Sequence, residues 1–164
     1  ASNQPAWADF GTLTSGYADE ITLDSVEIKN YSRNGIHLLR NSQNARAIGC
    51  RVDTTGCIDS GLRIEAPGAH VEGCLFIGET AGQLNSLLLA ANADISVYAN
   101  DSTVVNNIFI GGRCLTLGAV NRCTVIGNTF RDVLHSSGYA LTVEPYSFGS
   151  VDALYNVIAI TRNR

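Results

Sequence analysis

Apolar and polar positions alternate along this chain in short runs that return at least six times. Each run contains two β-favouring triplets separated by a small or amide residue. The runs cover residues 21–26, 47–52, 71–76, 104–109, 125–130 and 153–158. A second series of apolar runs begins at Gly35, Gly61, Ser86, Cys114 and Ala140, in phase with the first. Each repeat therefore predicts three short strands.

Repeats of 20 to 50 residues are typical of solenoids and propellers. Three strands per repeat, with the coil itself as the connection, predict a parallel β-helix of about six coils. Because alternate side chains of a strand point inward, we expect Val52, Phe76, Phe109 and Phe130 to form one internal column. A propeller would need four antiparallel strands per repeat, and hairpin signals such as Asn-Gly are scarce. The pattern favours the β-helix over a propeller or a sandwich.

The first bend of each coil is expected to hold a column of small or polar residues that can hydrogen-bond along the axis. With this ladder, residues 21–160 resemble the right-handed parallel β-helix (pectin-lyase-like) superfamily, most closely a fragment of a bacteriophage tailspike. The resemblance implies an all-β fold, with residues 1–20 as an N-terminal cap or linker and residues 21–164 as the β-helix domain. Residues 161–164 are not expected to complete a third strand. The predicted ladder residues are Asp24, Cys50, Cys74, Asn107, Asn128 and Asn156.

Charge and cysteine content narrow the classes of partner. The net charge is −4, and Lys29 and the arginines are scattered, so no basic stripe could follow a phosphate backbone and no nucleic-acid partner is expected. No apolar stretch is long enough to cross a membrane, so no membrane insertion is expected. Five cysteines without a CxxC pair argue against a metal site, and no cofactor is predicted. Free thiols are typical of synthesis in a reducing cytosol.

Loops between the second and third strands of each coil should leave one edge of the solenoid and form a ridge. Glycoside hydrolysis needs two carboxylates about 5 Å apart for retention or about 6.5–9.5 Å apart for inversion. With coils about 4.8 Å apart, Asp59 and Glu79 are candidates for a close catalytic pair. Asp132 is expected two coils beyond Glu79, near the inverting limit. Glu65 and Glu144 share an outward column, but they are expected to be too far apart to act together as a catalytic pair. As an alternative, the loop carboxylates are ordinary turn formers.

A second set of residues is predicted to bind a substrate. His37 and Arg63 are expected in one outward column, about one strand spacing apart, where they could bind a uronate. Tyrosines could offer aromatic faces to a sugar. Each could instead be an ordinary surface or packing residue. If the protein is an enzyme, a hydrolase with paired carboxylates is favoured over a lyase. The predicted substrate-binding residues are His37, Arg63, Tyr98, His135 and Tyr139.

The resemblance implies a virion tail or extracellular protein that binds, and with a catalytic pair depolymerises, a bacterial surface polysaccharide during host attachment. A homotrimer is implied in the same way. Three consecutive leucines, Leu87 to Leu89, cannot all face inward, which also favours a subunit contact. The alternatives are a non-catalytic structural or trimerisation segment of a phage spike or fibre, and a polysaccharide lyase or hydrolase of non-viral origin.

Overall fold

The computed structural model describes residues 8–10, 20–29, 35–38, 43–55, 60–78, 85–92, 97–118, 120–133, 140–144 and 158–164. These residues form short β-strands and no helix. In chain order the strands are β1 (Ala8–Phe10), β2 (Thr22–Asp24), β3 (Glu27–Ile28), β4 (Ile36–Leu38), β5 (Arg46–Ile48), β6 (Arg51–Asp53), β7 (Leu62–Ile64), β8 (His70–Glu72), β9 (Leu75–Ile77), β10 (Asn85–Asn92), β11 (Val97–Tyr98), β12 (Thr103–Val105), β13 (Ile108–Ile110), β14 (Arg113–Gly118), β15 (Cys123–Ile126), β16 (Thr129–Arg131), β17 (Leu141–Glu144) and β18 (Ile158–Thr161).

The strands form three sheets that the chain visits in turn. Sheet A contains β1, β4, β7, β10, β14 and β17; sheet B contains β2, β5, β8, β12, β15 and β18; and sheet C contains β3, β6, β9, β13 and β16. Within each sheet, neighbouring strands are parallel and come from successive coils. β11 is the exception, since it pairs with β10 in the antiparallel sense. The parallel β-solenoid predicted from the repeats is confirmed.

The number of complete coils differs from the sequence prediction. Sheet C has five described strands where sheets A and B each have six. The described coils with a strand in all three sheets are therefore fewer than the six predicted. Arg164 N donates to Asn128 O at 3.0 Å and Phe130 N donates to Arg164 O at 2.6 Å, so the backbone of residue 164 reaches sheet C, but no strand of that sheet is described after β16. β1, within the segment predicted as a cap or linker, pairs with β4. The right-handed sense stays a prediction.

An aromatic column fills the interior beneath sheet C. Val52, Phe76, Phe109 and Phe130 are in register on successive strands, as predicted. The ring centroids of Phe76 and Phe109 are 4.7 Å apart, and those of Phe109 and Phe130 are 5.0 Å apart, with both pairs nearly parallel. The rings stack because the spacing between neighbouring parallel strands is close to the centroid distance of two stacked aromatic rings.

Leucines form the matching interior surface of sheet A. Leu87 and Leu89 are fully buried, whereas Leu88 between them is half-buried. Leu88 stands in register with Arg63 on one side and Thr116 on the other, in a column that faces outward. The three leucines therefore divide between the two faces of the sheet, as strand alternation requires.

The bend from sheet B to sheet C has the same backbone conformation in successive coils. Its first residue has a positive φ, between 54° and 68°, which glycine adopts without a steric cost and which Asn tolerates. The residues with this conformation are Ser25, Gly49, Gly73, Asn106, Gly127 and Arg162.

The residue after each positive-φ position forms a continuous ladder. Cys50 N donates to Cys74 Sγ at 3.3 Å, and Cys74 N donates to Asn107 Oδ1 at 2.8 Å. Asn107 N donates to Asn128 Oδ1, and Asn128 N donates to Asn163 Oδ1, each at 2.9 Å. The ladder therefore supplies acceptors to turn N–H groups that would otherwise be buried without a partner.

The first predicted ladder residue lies outside this column. The register pairs Asp24 with Ile48, two positions before Cys50. Asp24 is exposed on the outer face of sheet B, and Val26 occupies the position equivalent to Cys50, since Arg51 N donates to Val26 O. The first repeat has Ser25 at the positive-φ position, so it lacks the glycine or Asn that marks the bend in the next four repeats.

The last ladder position also differs from the prediction. Asn163 holds it, because β18 pairs Val125 with Ile160 and so aligns Asn128 with Asn163. Asn156, the predicted residue, lies outside the described residues. The true ladder residue follows an arginine at the positive-φ position, where the four preceding repeats have glycine or Asn, and the arginine carries no such sequence signal.

Candidate functional site

The predicted catalytic carboxylates are placed only in part. Asp132 follows β16, is exposed and has a φ of 51°. The register of β13 with β16 aligns it with Gly111, which also has a positive φ, so a turn position accounts for an aspartate here. Of Tyr98 the structure describes the backbone alone, in β11. The other predicted loop residues, Asp59, Glu79, His135 and Tyr139, lie outside the described part of the chain.

His37 and Arg63 lie side by side on the outer face of sheet A. They are register partners on β4 and β7. In each strand the flanking residues are buried, so strand alternation directs these two side chains outward. The predicted neighbouring pair is therefore present in the backbone register.

Glu65, directly after β7, contacts the side chains of both His37 and Arg63. Its carboxylate accepts hydrogen bonds at Oε1 from Arg63 Nη2 at 2.5 Å and Nε at 2.7 Å. Its Oε2 lies 3.3 Å from His37 Nε2. Glu65 is 2% exposed, whereas the side chains of Arg63 and His37 are 31% and 16% exposed. We call these three residues the sheet A cluster.

The pKa of the Glu65 carboxyl reflects this environment. Burial raises it, but the hydrogen bond from His37 and the charges of Arg63 and His37 act in the opposite direction and outweigh burial. The pKa therefore lies below its ordinary value, and Glu65 is ionised at neutral pH. The guanidinium of Arg63 consequently faces an internal counter-ion.

This counter-ion changes the chemistry expected of the pair. His37 and Arg63 were predicted to bind a uronate, but Arg63 is already neutralised by Glu65. The ion pair with Glu65 was not predicted, although an arginine and a glutamate two residues apart lie on one face of a strand and can pair. The register places Glu144 three strands from Glu65, about 14 Å at the usual strand spacing.

Other ion pairs of the described residues are more open to solvent. His70 Nε2 lies 3.0 Å from Glu72 Oε2 on the outer face of sheet B. Arg122 donates to both carboxylate oxygens of Asp101, and this hydrogen bond and charge lower the pKa of Asp101. Both pairs are part of the solvated surface. The sheet A cluster differs from them because its carboxylate is buried.

The cysteines of the described region are buried free thiols. A hydrogen bond with the Cys50 thiol, and then burial, raise the pKa of Cys74. Burial raises the pKa of Cys114 to about 12 and also raises that of Cys123. Among the described residues, no three His, Cys, Asp or Glu side chains come together as metal ligands would. No helix of the described ranges has the length and apolar character of a membrane span.

Comparison with known proteins finds no matching family model, curated protein or solved structure.

Proposed function

We propose that the outer face of sheet A binds a polysaccharide, with the sheet A cluster as its central contact. The observation that supports this proposal is the buried Glu65 carboxylate, which fixes the partly exposed guanidinium of Arg63 beside His37 on the sheet. Burying a charge costs desolvation free energy, and polar groups fixed in this way are typical of binding sites.

The charge balance favours neutral sugar hydroxyls over acidic sugars. A guanidinium has five N–H donors, and Arg63 uses its Nε and Nη2 groups toward Glu65. The exposed edge of its side chain can donate to hydroxyl groups. Because Glu65 already neutralises Arg63, a second carboxylate from a uronate gains little from this site.

A solenoid also suits a polymeric ligand. Its strands repeat at about 4.8 Å along the axis, so the outward column of His37, Arg63 and Leu88 follows a straight line along sheet A. The proposed ligand is a bacterial surface polysaccharide, as in the tailspikes that the sequence resembles, and the proposed location is a virion tail or the cell exterior. In the catalytic form of this proposal, two of Asp59, Glu79 and Asp132 would cleave the bound chain at the carboxylate separations of glycoside hydrolases.

Affinity electrophoresis tests the proposal. The protein is run through gels that contain neutral or uronate-rich bacterial polysaccharides, beside the variants Arg63→Lys and Arg46→Lys. Arg63→Lys keeps the charge but loses the fork geometry, so we expect about tenfold weaker retardation in a neutral polysaccharide. Arg46 is exposed on sheet B, and its variant should match the unchanged protein. The proposal would be rejected if the two variants were retarded equally, or if the unchanged protein were not retarded in any gel.

The second candidate is a structural segment of a spike or fibre, and the trimer implied by the resemblance belongs to it. The ladder and the aromatic column, both continuous along the axis, favour this role because they stiffen the solenoid. A segment of this kind would show no retardation in any of the gels.

A further inference from the structure

The outer face of sheet C carries two parallel columns of side chains, one on each side of the inward column of Val52, Phe76 and Phe109. Strand register and alternation define both columns. From the first coil to the fifth, column one is Glu27, Arg51, Leu75, Ile108 and Thr129. Column two is Lys29, Asp53, Ile77, Ile110 and Arg131.

The two columns are complementary at the charged coils. In the first coil, Glu27 lies in column one and Lys29 in column two, and their charged atoms are 2.8 Å apart. In the second coil the signs are reversed, with Arg51 in column one and Asp53 in column two. Glu27 and Lys29 are about half exposed, so their charges can also reach a partner.

The third and fourth coils are apolar in both columns. Leu75, Ile77 and Ile110 are half-buried, and Ile108 is 38% exposed. Four aliphatic side chains thus form a continuous patch, bordered by charges on one side and by Thr129 and Arg131 on the other. Apolar patches bordered by polar residues are typical of protein contact sites.

We propose that this face docks a second copy of the chain, through a two-fold axis parallel to the solenoid axis. Such an axis exchanges the two columns and leaves each coil at its own height. Glu27 then faces Lys29 of the partner subunit. Arg51 faces Asp53 of the partner subunit, and each contact occurs twice.

The same operation matches the apolar coils. Leu75 faces Ile77 of the partner subunit, and Ile108 faces Ile110 of the partner subunit. At four consecutive coils, therefore, each charge meets an opposite charge or each aliphatic side chain meets another aliphatic side chain. The face is self-complementary. The sheet A cluster is on another sheet and takes no part, so this proposal and the proposed function can fail independently.

The size of the face predicts a weak dimer. Five strands at about 4.8 Å span roughly 24 Å along the axis, with two side-chain positions across each strand. This contact is smaller than the roughly 800 Å² per partner of a standard stable interface. We therefore expect a concentration-dependent dimer with a dissociation constant in the micromolar range or above.

A charge-swap experiment tests the two-fold geometry. Arg51→Asp gives the second coil a carboxylate in both columns, and Asp53→Arg gives it a guanidinium in both. Each homodimer then opposes like charges, whereas a mixed dimer opposes unlike charges twice. In sedimentation velocity from 10 µM to about 1 mM, we expect each single variant to associate at least tenfold more weakly. We expect their equimolar mixture, and the double variant, to dimerise like the unchanged protein.

Matched controls separate association from folding. Asp53 Oδ1 accepts a hydrogen bond from Thr55 N at 3.0 Å, so Asp53→Arg also disturbs a turn, but the double variant has the same loss and should still dimerise. Arg46→Asp on sheet B should leave association unchanged, and Ile108→Asp should abolish it. A monomer at every concentration, a trimer, or a mixture that fails to associate would overturn the proposal.

Discussion

Asn107 Nδ2 donates a 2.9 Å hydrogen bond to Asn128 Oδ1 in the next coil, and the same oxygen accepts from Asn107 N. Asn107 Nδ2 also donates to Val71 O at 3.0 Å. One buried amide thus serves the coil before it and the coil after it. The ladder couples neighbouring coils at a point where strand pairing is interrupted by a bend.

Replacing Asn107 should lower the free energy of unfolding more than replacing its exposed neighbour Asn106. Asn107→Ala leaves Cys74 N and Val71 O without their side-chain partners, and we expect a loss of about 3 kcal/mol in urea unfolding. Asn106 precedes it, is exposed and has a positive φ, so Asn106→Gly should change stability by less than about 0.5 kcal/mol. Similar losses for both variants would contradict the ladder's role.

The aromatic column should be equally sensitive. Phe109 is fully buried between two stacked rings, so Phe109→Ala should lower the free energy of unfolding by about 4 kcal/mol. Ile108, its neighbour, faces outward, and Ile108→Ala should cost less than about 1 kcal/mol in a dilute monomer. Thermal and urea unfolding of both variants checks this. A larger cost at Ile108 would mean that the strand faces are reversed.

The sheet A cluster predicts a pH dependence of stability. The folded pKa of Glu65 is lowered, so its contribution is complete above the ordinary glutamate pKa of about 4.3 and is lost as pH falls through the folded value. We expect Glu65→Gln to cost about 2 kcal/mol at pH 7 and progressively less below pH 4.

The control for this measurement is Glu72→Gln, which changes the more exposed pair with His70. Exposed pairs contribute little, so its effect should stay below about 1 kcal/mol at every pH. A difference between Glu65→Gln and the unchanged protein that is constant from pH 7 to pH 3 would contradict the ionised, paired carboxylate.

The buried thiols of Cys74, Cys114 and Cys123 should resist alkylation in the folded protein. The raised pKa values of Cys74, Cys114 and Cys123 leave little thiolate at pH 8, and burial limits access. Iodoacetamide labelling followed by peptide mass spectrometry should modify these three residues at least 100-fold more slowly in the native protein than in urea. Labelling of Cys114 at the rate of an unfolded thiol would contradict its placement.

The period of the repeats was sufficient to predict the solenoid and the column of Val52, Phe76, Phe109 and Phe130. Strand alternation fixes which residues point inward, so the interior follows from the sequence once the coils are aligned. The outward pair of His37 and Arg63 followed from the same alignment. These features depend on local spacing, which the sequence records directly.

The errors arose where local spacing was ambiguous. Asp24 and Val26 flank the bend residue Ser25, and the ladder position is the one that follows its positive φ. Asn163 was missed because Arg162, rather than glycine or Asn, holds the positive-φ position before it. The spacing of Arg63 and Glu65 indicates their ion pair, but the burial of Glu65 depends on the whole fold rather than on its own strand.

The most direct test of polysaccharide binding at the sheet A cluster is an NMR titration that follows arginine Nε–H signals. A neutral oligosaccharide from the most strongly retarding polysaccharide is added in steps to the ¹⁵N-labelled protein. We predict a saturable shift of the Arg63 signal, with the Arg122 signal unmoved, since Arg122 lies with Asp101 on the exposed surface. Saturable shifts elsewhere, with Arg63 unmoved, would contradict the assignment of the site to sheet A.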